Sequence, residues 1–228
     1  MSKTYGFIFA DELEYKPFHD LALSRGGREI AGKALPMVSL STGDSQIIAV
    51  HCGIGKVNAA IAASLLVYEC KVDAILNAGL SGAISHLKKG DVVAGESYVE
   101  CDFDLRVFGY ALGQKSDGTY VHEADEKLLA AAQKIDGMKT GALGTGDFFL
   151  NDKDKKAAYR GEFHINAFDM ETAAIADVAD TYGVPFLSIR KISDNADDTA
   201  DESYTTLNEL AEEDLSKILL QVVENAEA

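Results

Sequence analysis

Short apolar runs of β type recur along the chain at Tyr5–Ala10, Ile47–His51, Ala74–Leu76, Asp91–Val93, Thr140–Leu143, Ala167–Phe168 and Phe186–Ile189. Segments of helix length lie between several of them. Val57–Tyr68 is rich in Ala and Leu and apolar nearly all round, the pattern of a well-buried helix, whereas Glu126–Ile135 and Leu207–Val223 are amphipathic. Strands alternating with helices predict a mainly parallel α/β sheet covered on both faces, because a parallel crossover needs a long connection that packs back onto the sheet. No Pro/Ser-rich linker and no internal repeat interrupts this alternation, so residues 1–228 read as a single domain.

Composition narrows the class. With 47% apolar residues, 25% charged residues and only 3 Pro, the chain has enough apolar material for a core and none of the bias of a disordered or fibrous protein. The formal charge of −16 repels phosphate backbones and anionic lipid, and no cluster of Lys and Arg offsets it, which argues against nucleic acid or a membrane surface as partner. Cys52, Cys70 and Cys101 are odd in number and lack C-x-x-C spacing, so neither a disulfide framework nor a zinc site is expected. Tyr5–Ala10 is too short for a signal peptide and is followed by Asp11, Glu12 and Glu14; no run approaches the roughly 20 apolar residues of a membrane span. A soluble, cytoplasmic protein is the expectation.

Several familiar motifs fail. Gly53-Ile-Gly55-Lys56 follows a strand and opens a helix, but Val50 and Val57 stand where a P-loop needs Gly and Ser/Thr, and Asn58 stands where G-x-G-x-x-G needs its last Gly. A tight strand-to-helix turn is the plain alternative. Gly79-Leu-Ser81-Gly82 falls one residue short of a nucleophile elbow. Nine acids and no Lys or Arg lie between Asp194 and Asp214; apart from Asp194, which ends an apolar strand, they read as a solvated loop and a helix start rather than a metal site on Asp197, Asp198 and Asp201.

Ligands of open α/β sheets sit at the carboxyl ends of the strands. Those ends carry Glu14, Gly53–Lys56, Asn77–Gly82, Gly146–Phe149, Asp169–Glu171 and Ser193–Asp194. Carboxylates that converge in a pocket raise one another's pKa and can serve as general acid or base near neutrality. Glycosyl transfer uses such a set, one acid protonating the leaving group and one base directing water around an oxocarbenium-like transition state, and an aromatic such as Phe149 would stack a flat leaving group.

Four segments then carry a resemblance. Gly53-Ile-Gly-Lys-Val-Asn-Ala-Ala60, Phe108-Gly-Tyr-Ala-Leu-Gly-Gln114, Asp169-Met-Glu-Thr-Ala-Ala174 and Ile189-Arg-Lys-Ile-Ser-Asp194 resemble the GIGKVxAA, FGYxxGQ, [ED]MExxA and RxISD motifs of the methylthioadenosine/S-adenosylhomocysteine nucleosidases, in register from about residue 5 to residue 225. The resemblance implies a nucleoside phosphorylase-like fold: one three-layer α/β/α domain with a central mixed, mainly parallel sheet. It implies no cofactor and no metal, a small-molecule nucleoside substrate, and a homodimer. By position, Asp194 would protonate purine N7 and Glu14 would orient and deprotonate water. Arg190 and Glu171 would help hold that water, Glu171 also binding the ribose hydroxyls. Met170 would pack against the sugar, Phe149 would stack on adenine, and the backbone of Leu150 would read the base edge. Leu105 and Phe108 match positions that reach across the dimer to line the partner's 5′ pocket. Phe148, next to Phe149 on an extended chain, is expected in the core.

The chain departs from the pattern in three places. Many relatives read T-G-S-A-G-G where this chain has Ala78-Gly-Leu-Ser-Gly-Ala83, so Leu80 takes the usual serine place and Ser81 moves the hydroxyl one position on, on the pocket floor. Lys115-Ser116-Asp117-Gly118 follows where a proline is frequent, and Phe9 and Asp11 replace a common Gly and Met. A wider, more polar 5′ pocket suited to S-adenosylhomocysteine would follow. Phosphate as acceptor would require cations, and Arg25 and Arg28 lie well past the first strand. Hydrolysis is therefore favoured over purine-nucleoside phosphorolysis, a nucleosidase for another 5′-substituted adenosine remaining a further alternative. A non-catalytic nucleoside binder would be expected to lack one of Glu14 and Asp194, and both are present.

Overall fold

A computed structural model of the chain describes residues 3–197 and 210–228. In chain order the elements are β1 (Thr4–Phe9), α1 (Glu12–Ser24), β2 (Arg28–Glu29), β3 (Met37–Thr42), β4 (Ser45–His51), α2 (Lys56–Leu65, continued by one π turn to Cys70), β5 (Ala74–Ala83), β6 (Val92–Glu100), β7 (His122–Glu123), α3 (Glu126–Gln133), β8 (Lys139–Thr145), α4 (Lys153–Phe163), β9 (Ala167–Asp169), α5 (Thr172–Tyr182), β10 (Phe186–Asp194) and α6 (Leu210–Glu227). β4, β1, β5 and β10 run parallel side by side, and β6, β8 and β9 form a second parallel group. Antiparallel contacts of β10 with β6 and of β5 with β9 join the two groups into a closed ring of five strands, while β3 and β2 extend the open edge. The sheet is thus mixed, as the resemblance implies.

The period of two in β1 shows how the layers arise. Tyr5, Phe7 and Phe9 face a core shared with Phe18 and Ala22 of α1, Leu128 of α3 and Leu219 and Val223 of α6. Ile8 faces the opposite core, with Ala59 and Ala62 of α2 and Ile175 and Ala179 of α5. Phe7 and Phe18 meet edge to face at 5.2 Å, and burying a ring of that size contributes on the order of 2–3 kcal/mol. A third cluster around Tyr159, Ile165 and Phe168 closes one end of the ring. Among the described residues no helix is long and apolar enough to cross a membrane.

The predicted elements are present, but three of the strands, β5, β6 and β10, run much further than the apolar runs suggested. β5 and β10 continue through Asn77-Ala-Gly79-Leu-Ser81 and Ser188-Ile-Arg190, whose alternate small and polar residues turn into the ring. Asn77–Gly82 is accordingly inside a strand and not beyond its end. Leu207, the expected start of the last helix, lies outside the described residues, as do Asp198 and Asp201.

Candidate active site

Strand register brings the site together. Arg190 of β10 stands beside Gly79 of β5, and a Cβ on Gly79 would lie 2.7 Å from both Arg190 Nη1 and Glu14 Oε1. Glycine is therefore what lets a guanidinium and a carboxylate meet over the strand. Arg190 is 2% exposed. Its Nε donates to Ser81 Oγ at 2.9 Å, Nη1 to Asn77 Oδ1 at 3.0 Å, and Nη2 to the Leu80 carbonyl at 2.6 Å and Glu171 Oε2 at 3.3 Å. Four of its five N–H groups are thereby used.

Glu14 sits in the first turn of α1, where it completes a capping box with Asp11. Its Oε2 accepts the Ala10 and Asp11 amides, each at 3.1 Å, while Oε1 reaches across to accept the Leu80 amide at 2.9 Å. The structural role of a first-turn acid and a role in the site coincide in one side chain. Three donors leave this carboxylate about one further acceptor position, on Oε1. Glu171 precedes α5; its Oε1 accepts the Gly55 amide at 3.0 Å and its Oε2 meets Arg190. Asp169, with its side chain fully buried, accepts the Thr145 and Thr172 hydroxyls and the amides of Glu171 and Thr172, and so fixes the turn that presents Glu171. Asp194 ends β10 and accepts from Ser193 Oγ and the Ala196 amide, both at 2.6 Å. A Cβ on Gly82 would come within 2.9 Å of it.

The electrostatics follow from one buried cation among three buried carboxylates. Burial pushes the Glu14 carboxyl above its usual range against the pull of Arg190 and the amides. Burial likewise lifts Glu171, to about 7; Asp169 and Glu14 add to the rise, and Arg190 and the Gly55 amide oppose it. Burial works against the charge of Arg190, but Asp169, Glu171 and Glu14 more than compensate and keep it cationic. Glu171 is therefore the group poised to exchange a proton near neutrality, and Glu14 binds a proton more readily than a solvated carboxylate does.

A cavity of about 600 Å³ lies over this array, a size that suits a nucleoside. Glu14, Leu80, Ser81, Phe149, Leu150, Met170, Glu171, Arg190 and Asp194, all expected in the site from the sequence, line it. Leu105 and Phe108 do not; Phe108 is 74% exposed on the short helical turn Arg106–Phe108. Phe148, expected in the core, both packs on Phe168 at 5.1 Å and lines the cavity, because the chain there turns and is not extended. Asn77 holds the array from behind, and Asp169 fixes it from the cavity wall. Their signal in the sequence was their place, Asn77 four residues before Ser81 on the same strand face and Asp169 two residues before Glu171, the first legible only once β5 is known to continue. Among the described residues no group of three His, Cys, Asp or Glu could hold a metal ion, and the three cysteines are unpaired.

Fold and site together define an α/β protein that gathers carboxylates around a buried arginine under a nucleoside-sized cavity. The family model of the phosphorylase superfamily matches residues 4–224. A 5′-methylthioadenosine/S-adenosylhomocysteine nucleosidase of an Exiguobacterium species is 35% identical over 81% of this chain and 83% of its own. Two Helicobacter pylori structures superpose with a TM-score of 0.93 at 28% identity. One, covering 98% of this chain and 99% of its own, is an aspartate-to-asparagine nucleosidase variant with 5′-methylthioadenosine in the active site. The other, covering 98% of both chains, is described as a futalosine hydrolase. The chain belongs to the phosphorylase superfamily and, within it, to the methylthioadenosine/S-adenosylhomocysteine nucleosidases.

Proposed function

We propose that this chain hydrolyses the N-glycosidic bond of 5′-methylthioadenosine, S-adenosylhomocysteine or both, releasing adenine and the thioribose. Relatives named for that reaction support the assignment. The observation that carries the hydrolytic reading is the state of the two groups an acceptor would meet. Glu14 is a buried carboxylate with one acceptor position left, and Arg190 has four of its five N–H groups occupied by the protein. Arg190 is the one cationic side chain lining the cavity among the described residues, and residues 198–209 contain no Lys or Arg. A phosphate dianion would meet a carboxylate and an already engaged guanidinium; a water would find an acceptor on Glu14 Oε1 and a donor on Arg190 Nη1.

Asp194 would then protonate N7 of the purine as the glycosidic bond breaks, and Glu14, its affinity for protons raised by burial, would take the proton of the water that attacks C1′. Glu171 would bind the ribose hydroxyls, and the negative charge of these groups would steady the developing sugar cation. Met170 would pack on the sugar, Phe149 on adenine, and the backbone of Leu150 would read the base edge. Leu80 and Ser81 would floor the pocket near the water and ribose.

The 5′ end would be completed by a second copy of the chain in the cytoplasm. Val57 and Ile61 on α2, Ile54 just before it, and Val107 and Phe108 on the turn Arg106–Phe108 are 49–86% exposed. So much exposed apolar surface is what a homodimer interface would cover, and it would allow Leu105 and Phe108 to reach the other site. The test is adenine release from each nucleoside with and without phosphate. A phosphate-independent rate with free thioribose is expected; phosphate-dependent turnover giving a sugar 1-phosphate would replace the reading with phosphorolysis.

A further inference from the structure

The turn Gly53-Ile-Gly55-Lys56, which fits no phosphate motif, has a part in this site. Gly53 and Gly55 both take positive φ, at 86° and 101°, and α2 starts after them without any side-chain cap of its own. Two carboxylates from elsewhere occupy its first amides instead: Glu171 Oε1 on Gly55 N at 3.0 Å, and Asp147 Oδ1 on Lys56 N at 2.8 Å. The Lys56 side chain, 17% exposed, spans from there to Glu100 Oε1 at 2.6 Å, at the end of β6, and to Asp102 Oδ1 at 2.7 Å. Asp102 Oδ2 in turn accepts the Asp147 amide at 2.8 Å. Lys56, Asp147 and Asp102 thus close a ring in which Lys56 is held at both its backbone and its ammonium. Lys115 reaches the other oxygen of Glu100 at 3.5 Å and Asp177 of α5 at 2.6 Å, tying the ring to the helix that Glu171 precedes.

A turn built on two glycines has little conformational preference of its own. Its amide can hold a carboxylate at a fixed angle only if something else fixes the turn: Asn58 Nδ2 holds the Ile54 carbonyl at 2.8 Å, and the groups bonded to Lys56 hold the end that carries the Gly55 amide. We infer that Lys56 is a positioning residue for Glu171, acting through the Gly55 amide that its ion pairs hold in place. Without that amide Glu171 would keep Arg190 as its cationic partner and face Asp169 and Glu14 as before, but one carboxylate oxygen would lose its donor and the side chain would be free to turn in the cavity. Lys56 itself lines no part of the cavity, so its influence on catalysis would be indirect. The inference rests on the reading of Glu171 as a substrate-binding carboxylate.

The test compares Lys56→Gln, Lys56→Arg and Asp147→Ala with the wild type. Asp147 is exposed, so its variant removes the Lys56 backbone bond without disturbing the core. The Glu171 carboxyl is titrated by 13C NMR, its resonance assigned by its loss in Glu171→Gln, and kcat, KM and Tm are measured alongside. In Lys56→Gln and Asp147→Ala the Glu171 titration should move above the wild-type value, because the amide that favours its charged form is misplaced. The accompanying loss in kcat/KM should be about 10- to 100-fold, the range that small misplacements produce, and Lys56→Arg should restore both. A Lys56→Gln protein of lower Tm whose Glu171 titration and kcat/KM match the wild type would reduce Lys56 to a structural ion pair and overturn the inference. The NMR arm needs no substrate: a wild type that releases no adenine would overturn the proposed function, and the titration would still decide the positioning role.

Discussion

Replacing Glu171 with Gln tests the electrostatic account of the site through stability alone. Burial raises the Glu171 carboxyl from the ordinary 4.5 to about 7 in the folded protein, so the fold prefers the protonated form. The stabilisation this gives is fully present below the unfolded value and is lost as pH rises through the folded one. With about 1.4 kcal/mol for each tenfold change in an ionisation constant, the wild type should lose on the order of 2.5 kcal/mol between about pH 5 and about pH 8 through this group. The side-chain amide of the Glu171→Gln variant cannot titrate, so that loss should be missing from it. Losing the Arg190 partner adds an offset to the variant's stability, so the comparison rests on how the difference between the two proteins changes with pH. Urea unfolding of both proteins at the two pH values, followed by far-UV circular dichroism, reads this directly. The variant should gain on the wild type by about that amount at the higher pH. A difference that stays constant with pH would refute the claim that a buried, partly protonated Glu171 faces Arg190.

Other perturbations probe separate parts of the molecule. Gly79→Ala puts a methyl group 2.7 Å from Arg190 Nη1 and Glu14 Oε1, and should lower kcat/KM about 100-fold, checked by steady-state adenine release against an unfolding control. Asp194→Asn should lose on the order of 10²–10⁴-fold in kcat if its carboxyl donates the proton; a rate near that of the wild type would remove it from the mechanism. His122, hydrogen-bonded to Asp177 and Asp180, has its pKa raised chiefly by Asp177, so its contribution to stability is present below the ordinary value of 6.5 and lost as pH rises through the folded one. His122→Gln should therefore cost about 1 kcal/mol at about pH 6 and less at about pH 9 in the same unfolding assay. If the proposed homodimer forms, light scattering should report twice the 24.4 kDa monomer mass for the wild type and the monomer mass for Val57→Asp with Ile61→Asp, at two exposed apolar positions of α2.

The layers of the fold were legible because β1, α2 and α3 follow simple rules: a pleat of period two, an all-round apolar helix, and an amphipathic one. The ring was less so. Asn77 and Arg190 read as lying past the ends of their apolar runs, yet with Ser188 they are buried within the strands, because their polar atoms satisfy one another. Hydropathy reads single residues and cannot register that mutual satisfaction. The carboxylates Glu14, Glu171 and Asp194 were legible from their places near strand ends, and the last two also from the motifs that carry them. Asp169, in the same motif as Glu171, was visible as a residue type but not as the buried acceptor of four donors, since its partners Thr145 and Thr172 come from β8 and α5.

Leu80 shows why one departure from the motif pattern is compatible with an intact array. The groups that grip Glu14 and Arg190 at this position are the amide and the carbonyl of residue 80, not its side chain, and the backbone supplies both whatever the side chain is. Its isobutyl group instead lines the cavity at 8% exposure, while the hydroxyl one position on, at Ser81, takes the Arg190 Nε bond. Glu14 and Arg190 are therefore set by strand register and main-chain atoms, which a substitution at position 80 leaves in place. The side chain of that residue can vary only in what it does to the shape and polarity of the cavity floor. On the proposed mechanism, an apolar floor there would remove a hydroxyl that could compete with Glu14 for a bound water, and the single acceptor position on Glu14 Oε1 would carry more of the task of directing that water.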